Sequence, residues 1–347
     1  MSDNGIATGV RDGMPRAQVP GLRIAPAESP IARHVPRMVE IANAGFRADG
    51  IDELTTEADL TNWVSHPSEH FDPERDVALA RVGDELVGYT YVDWVDTNDG
   101  LREYRLRGHV HPEWQRRGIG GALLAWGERH AAEHAAAHPG ERPVVVGTWT
   151  AERRTDKIHL LEEAGYEPVR WFFEMRRPTL DGVEEPPLPE GIEVRPIGDR
   201  REEWRRLFEA DAEAFRDHWG GFAADDAAFE EWLGEPGFDP SLFVVAWDGD
   251  EIAGAVINAL PLSENKALGR RRGWLESVFV RRRWRRRGLA GALVARSLVV
   301  LREAGMDHGM LGVDADNPTG ALGVYERAGF KVVKRSAAFR KAMEGTA

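Results

Sequence analysis

The chain contains no cysteine, which excludes disulfides, thiolate-held metals and a thiol nucleophile. No apolar run approaches the roughly 18 residues a membrane-spanning helix needs. The first stretch, MSDNGIATGVRDGMPRAQVPG, lacks the apolar segment of a signal peptide. The 11 histidines are scattered, with no HExxH or similar ligand spacing on a helix, so no metal is expected. Positive charge is outweighed: a formal net charge of -13 and a pI near 5.4 argue against wholesale binding to nucleic acid or an anionic membrane, because the summed field repels a polyanion. These absences predict a cytoplasmic protein with no nucleic-acid or membrane partner, and a flexible tail over residues 1–20.

With 347 residues, 42% of them hydrophobic, the chain can bury a good core and favours two domains over one. Against the acidic background, VFVRRRWRRRGLAGALV (278–294) crowds Arg281, Arg282, Arg283, Arg285, Arg286 and Arg287 around Trp284. Such a run suits either a phosphate-backbone patch or a pocket for one phosphorylated small molecule. An internal repeat favours the second reading. VHPEWQRRGIGGALLAW (110–126) matches VRRRWRRRGLAGALVAR (280–296) without gaps, pairing Val110 with Val280, Trp114 with Trp284, Gly118 with Gly288 and Gly121 with Gly291 at a constant offset of 170. Downstream, at an offset of 164, Ala164, Gly165 and Tyr166 fall on Ala328, Gly329 and Phe330.

Each half therefore reads as one domain, 21–177 and 192–347, joined by a Pro- and acid-rich linker (178–191) that should be extended and solvated. LRIAPAES (22–29) and IEVRPIGD (192–199) look like equivalent opening strands. In the second half helices are expected over 202–216 and 225–234, then a hairpin over 242–260 turning at Asp248-Gly249-Asp250 and an alternating strand RGWLESVFV. A helix closed by Gly305 follows, then strand GMLGVDA, helix PTGALGVYERAG and strand FKVVKR.

A strand that runs into a Gly-containing turn at a helix start gathers unpaired N–H groups, and the helix dipole adds partial positive charge there. Gly288 and Gly291, like Gly118, Gly120 and Gly121, remove side chains that would block an anion, and flanking arginines can pair with phosphate oxygens. Trp284 and Trp114 read as packing residues. The segments Gln115-Arg116-Arg117-Gly118-Ile119-Gly120 and Arg285-Arg286-Arg287-Gly288-Leu289-Ala290 resemble the Q/R-x-x-G-x-G/A motif of GCN5-related N-acetyltransferases (GNAT). The resemblance runs twice over from about Leu22 to Lys341.

The resemblance implies an α/β fold of two tandem GNAT domains, each a mixed, mostly antiparallel sheet flanked by helices. It implies acetyl-CoA as donor, without metal, and direct transfer to the amine of a small molecule. Its pyrophosphate would sit on Arg285, Arg286, Arg287, Gly288, Leu289, Ala290 and Gly291, and in the first half on Gln115, Arg116, Arg117, Gly118, Ile119, Gly120 and Gly121 beyond Val110. Backbone around Val278, Phe279 and Val280 would hold the thioester oxygen and pantetheine arm, and Asn317 would open the closing helix.

Tyr325 is then the expected hydrogen-bond donor to the departing thiolate. If that thiol titrates like Cys, full proton transfer from Tyr is uphill by roughly 2 kcal/mol, so donation precedes any transfer; the alternative is a core aromatic. Alternation would place Trp274, Glu276, Val278 and Val280 on one strand face, which makes Glu276 the candidate base. An alkyl ammonium costs roughly 4 to 5 kcal/mol to deprotonate at pH 7, so Glu276 would act through water or with a raised pKa. Otherwise it is a solvent-edge Glu or pairs with Arg270, Arg271 or Arg272. In the first half Leu106, Leu161 and Arg153 replace Glu276, Tyr325 and Asn317, so turnover is expected in the second half only.

The family's acceptor site lies on the first two helices and their loop, where Asp217, His218, Trp219 and Phe222 could line a pocket for a cationic amine or serve as ordinary surface and structural residues. The tandem layout is similar to that of family members acetylating the cysteinyl amine of a sugar thiol, although Trp274 stands where those would have an acid. A non-catalytic acyl-CoA-binding pseudoenzyme is the other alternative. The halves could form an internal pseudo-dimer in a monomer, or the chain a homodimer.

Overall fold

The computed structural model describes residues 19–68, 70–219, 225–235, 237–316 and 320–343. The first half contains β1 (Leu22–Pro26), α1 (Val35–Ala48), α2 (Glu57–Ser65), α3 (Pro73–Asp76), β2 (Val77–Val82), β3 (Glu85–Asp96) and β4 (Arg102–Val110). It continues with α4 (Ile119–Ala137), β5 (Val144–Ala151), α5 (Thr155–Glu163) and β6 (Glu167–Arg177). The second half repeats the order with β7 (Glu193–Val194), α6 (Arg201–Ala214), α7 (Asp226–Leu233), β8 (Val244–Asp248) and β9 (Glu251–Ala259). One helix without a first-half counterpart, α8 (Leu262–Leu268), precedes β10 (Arg272–Val280), α9 (Leu289–Glu303), β11 (His308–Asp314), α10 (Ala321–Arg327) and β12 (Lys331–Ala342).

Local chemistry fixes several of these boundaries. Thr56 and Asp59 form a reciprocal capping box at the start of α2, and the Asp225 carboxylate accepts the Ala228 N–H at 2.7 Å to start α7. The opening strand of the second half is only two residues long and lies at the edge of the sheet, with Arg195 N–H still donating to Val245 O at 3.2 Å; Pro196 is tolerated next because the N–H it lacks would point away from β8.

The twelve strands of the described residues form one sheet, in the order β1-β2-β3-β4-β5-β12-β6-β11-β10-β9-β8-β7. The centre of that order departs from two sheets laid side by side. β12 pairs with β5 from Ser336↔Ala151 to Ala342↔Val145, and β6 pairs with β11 from Gly309↔Arg177 to Asp314↔Phe172. Each half thus lends its last strand to the other's sheet. Charge pairs pin the exchange: Arg170 holds Asp314 at 2.9 Å, and Arg340 holds Glu103 at 2.9 Å and Asp99 at 2.6 Å.

Hydrophobic cores lie on both sheet faces. In the second half α9 buries Leu293, Val294, Leu298 and Leu301 with Leu275 and Tyr325, while α6 buries Leu207 and Ala210 with Val245 and Phe279. The linker differs from the solvated segment its composition suggests. Leu180 is buried in the α9 core, its N–H donates to Asp307 O at 3.2 Å, and Arg296 takes the Pro186 carbonyl at 3.0 Å. Apolar residues at 180, 183 and 188 supply the burial that a Pro/Glu count overlooks.

Candidate active site

In the second half β10 ends at Val280, a short 3-10 turn spans Arg282–Trp284, and α9 begins after Gly288, which has φ +82°. Arg286 sits in the left-handed region at φ 60°, where a non-glycine residue costs of order 1–3 kcal/mol; such strain persists where a turn must aim its N–H groups. A Cβ on Gly288 or Gly291 would meet nothing within 4 Å among the described residues.

The six arginines divide by partner. Arg281 pairs with Glu213 at 2.7 Å and Arg283 with Glu251 at 2.9 Å. Arg285 donates from Nε to Val280 O at 2.9 Å and from Nη2 to Ala214 O at 3.0 Å, and Arg287 reaches Glu190 O at 3.0 Å. The Arg286 guanidinium has no partner among the described residues and lines the cleft with Arg282, Gly288, Leu289, Ala290 and Gly291. Trp284 is buried, with its Nε1–H on Asp248 at 2.8 Å.

The first half keeps this backbone, with Arg116 at φ 56° and Gly118 at φ 81°. Gln115 donates to Val110 O at 3.1 Å, the counterpart of Arg285 on Val280, and Arg117 lies over the Trp114 ring at 4.9 Å. The surroundings differ. Leu160 lies 3.4 Å from a Cβ placed on Gly120 and 3.7 Å from one on Gly121, and residues 112–121 do not border the cleft.

The strand that carries Glu276 is bulged. Leu275 pairs with Asn258 but Ser277 pairs with Ile257, so Glu276 is an extra residue. The alternation expected for Trp274, Glu276, Val278 and Val280 breaks there: Leu275 packs with Val278 and Val280 against α9, whereas Ser277 and Phe279 face α6. β4 pairs with β3 without interruption from Gly88↔Val110 to Asp96↔Arg102. Pairing of β10 with β11 stops at Leu275↔Leu311, so beyond it, among the described residues, β10 has a strand partner on one side only.

The cleft has a volume of about 2200 Å³ and runs between the halves, from the second-half turn past Val278, Val280 and Tyr325 to Glu276. Tyr325 is buried against Phe330, and burial pushes its hydroxyl pKa up to about 12. Glu276 also borders a second cavity of about 140 Å³, lined in addition by Asp211, Trp232, Glu235, Asn258 and Ser277. Arg270 and Arg272 pair with Glu264 at 2.6 and 2.7 Å, and Arg271 lies 3.6 Å from Asp307; among the described residues none of the three forms an ion pair with Glu276. Enclosure by the walls raises the Glu276 pKa, opposed by the Arg272 charge and assisted by Glu264.

Two further acids escaped the sequence reading. Burial raises Asp211 to about 7, although Ser277 Oγ donates to it at 2.7 Å and lowers it. Burial, then the neighbouring charges of Glu276, Glu231 and Asp59, raise Glu235 to about 7. Asp211 had left a trace: it falls four residues after Leu207 and three after Phe208, on the apolar stripe of its helix, where an acid has no solvation role. Asn258 Oδ1, in the same cavity, is buried without a hydrogen-bond partner among the described residues.

Of the expected acceptor residues, His218 lines the cleft against Phe215, with ring centroids 4.2 Å apart. Trp219 receives Arg340 on its face at 4.1 Å and packs near Trp149 and Phe172. Phe222, Asn317 and the Asp217 side chain lie outside the described residues. Among the described residues there is no group of three or more potential metal ligands, and no helix is long and apolar enough to cross a membrane.

Two family models match the chain: residues 204–330 match the acetyltransferase (GNAT) family, and residues 73–168 match an acetyltransferase (GNAT) domain. A mycothiol acetyltransferase of Geodermatophilus obscurus is 31% identical over 320 residues, covering 87% of this chain and 95% of the relative. The chain belongs to the GNAT acetyltransferase family. It is therefore an acyltransferase built from two GNAT domains. A GCN5-related N-acetyltransferase from Sphaerobacter thermophilus superposes with a TM-score of 0.67 at 29% identity, covering 93% of this chain and 96% of that one. A tandem GNAT protein from the clavulanic acid biosynthesis pathway shares the fold, with a TM-score of 0.69 at 17% identity and coverage of 92% and 98%.

Proposed function

We propose that this GNAT protein moves an acetyl group from acetyl-CoA to the amine of a small molecule, by direct transfer in its second half. The observation that carries the reading is the continuity of the second-half site. The turn with Arg286 and Gly288, the stretch of β10 that β11 no longer pairs, Tyr325 and Glu276 all line one cleft. The turn's N–H groups and the start of α9 receive the pyrophosphate. Backbone around Val278 to Val280 holds the thioester. The Tyr325 hydroxyl donates to the sulfur as it gains charge, and its high pKa keeps the proton on oxygen until then.

The acceptor amine enters from the smaller cavity. An ammonium is drawn by Glu276, Asp211 and Glu235, and carboxyls titrating near 7 are better matched to receive its proton through water than an ordinary carboxylate. No enzyme-bound intermediate is needed. The relatives named mycothiol acetyltransferase, at about 30% identity, favour one particular acceptor, the cysteinyl amine of a sugar thiol; Trp274 on β10, at the position where the tandem layout would have an acid, weighs against it. A screen of amine acceptors with acetyl-CoA, read by release of free thiol, tests the reading. Turnover with an amine supports it, and absence of heat on titrating acetyl-CoA into the protein removes it together with the enzymatic proposal.

A further inference from the structure

Both halves splay two parallel strands: β4 leaves β5 after Arg105↔Gly147, as β10 leaves β11 after Leu275↔Leu311. In the second half Ala321 lines the cleft. Its first-half counterpart, 164 residues earlier, is Lys157, which reaches back so that Nζ donates to Trp149 O at 2.9 Å. Lys157 lines the cleft at this place, so the first half presents an amine where the second presents a methyl group.

The charge around Lys157 is unbalanced. Arg107 and His109 from β4 and Arg154 ahead of α5 border the same end of the cleft, with Phe46, Tyr91 and Trp149 as walls. Arg107 has Asp93 at 3.4 Å and Arg154 has Asp49 at 2.8 Å. Lys157 has a carbonyl but no carboxylate among the described residues. Burial, then the charges of Arg154 and Arg107, lower its pKa to about 7, and His109 is held neutral by burial and by the Arg154 and Lys157 charges.

We propose that the first half has given up acetyl-CoA and instead binds a small molecule with an oxyanion head, phosphoryl or carboxylate, at Lys157 between Arg107 and Arg154, with an apolar or aromatic body against Phe46, Tyr91 and Trp149. An anion there supplies the charge that Lys157 lacks, and the two guanidinium groups offer planar forks suited to either head. The cleft leaves room: at about 2200 Å³ it exceeds the roughly 300–1,000 Å³ of an ordinary ligand pocket, enough for a second molecule beside the carrier. The inference does not depend on the transfer chemistry of the second half.

Calorimetry on the full chain, with the second-half turn saturated by CoA, tests it with inorganic phosphate and benzoate as probes. Saturable heat with either probe is expected, and whichever binds identifies the head group. Affinity should fall about tenfold or more in Lys157→Met and return in Lys157→Arg. No saturable heat from either probe, binding unchanged in Lys157→Met, or two CoA sites per unsubstituted chain would overturn the proposal. If Lys157→Met fails to fold, the unsubstituted chain and Lys157→Arg still decide by the same heats.

Discussion

Ser277 Oγ donates to Asp211 Oδ1 across 2.7 Å, tying the strand just past its bulge to the first helix of the second half. The carboxyl it touches holds its proton to about pH 7 in the folded chain, against about 3.9 when unfolded. A raised carboxyl pKa costs stability above the folded value, and that cost fades as pH falls toward the unfolded one. Asp211→Asn should therefore be more stable than the unsubstituted chain at pH 8, with the gap narrowing by pH 5, as thermal midpoints at the two values would show. If Asp211 receives the amine's proton, kcat should rise through about pH 7 and lose that limb in Asp211→Asn.

Removing the Tyr325 hydroxyl should act on the chemical step. Tyr325→Phe is expected to lower kcat about a hundredfold while the KM for acetyl-CoA changes little, because the ring still packs on Phe330. Leu161→Phe, at the matching first-half position, should leave both constants near their starting values. An undiminished Tyr325→Phe enzyme would show that another group serves the sulfur.

The two glycine turns should respond differently to one methyl group. Gly288 and Gly118 have nearly the same backbone, φ +82° and +81°, and alanine there costs about 1–2 kcal/mol. Gly288→Ala should raise the KM for acetyl-CoA because strain and Cβ both fall on the turn that lines the cleft. Gly118→Ala should lower the unfolding midpoint by a comparable free energy and leave that KM unchanged.

Arg340 links the last strand to the first half through Glu103 and Asp99. Glu103 is fully buried, and Arg340→Met would leave it only the more distant Arg105, at 3.8 Å, so the change should destabilise by up to about 3–5 kcal/mol. Denaturant unfolding would measure it, and adding Glu103→Gln should recover part of the loss.

Most of the element order and the backbone of the second-half turn were legible because they rest on local signals, while α8 (Leu262–Leu268) was missed. Gly118 and Gly288 recur in register, and apolar periodicity marks α6 and α9. The Glu276 bulge was not legible, since one surplus residue in a ladder depends on the partner strand and leaves RGWLESVFV looking evenly alternating. The different setting of the first-half turn was equally hidden: QRRGIGG keeps the motif, and its packing beside Leu160 of α5, away from the cleft, depends on contacts remote in sequence. Asp211 could have been noticed as an acid on an apolar stripe. Glu235, held at the cavity by a loop, carried no such mark.

The position of β12 between β5 and β6 has a consequence for biosynthesis. A nascent polypeptide emerging from the ribosome cannot seal its first half until nearly all of the second has been translated, since β5 otherwise waits with a bare edge able to template aggregation. Expressed alone, residues 21–177 would therefore be expected to need a chaperone or to precipitate, and supplying the missing strand as a peptide would be the way to rescue them.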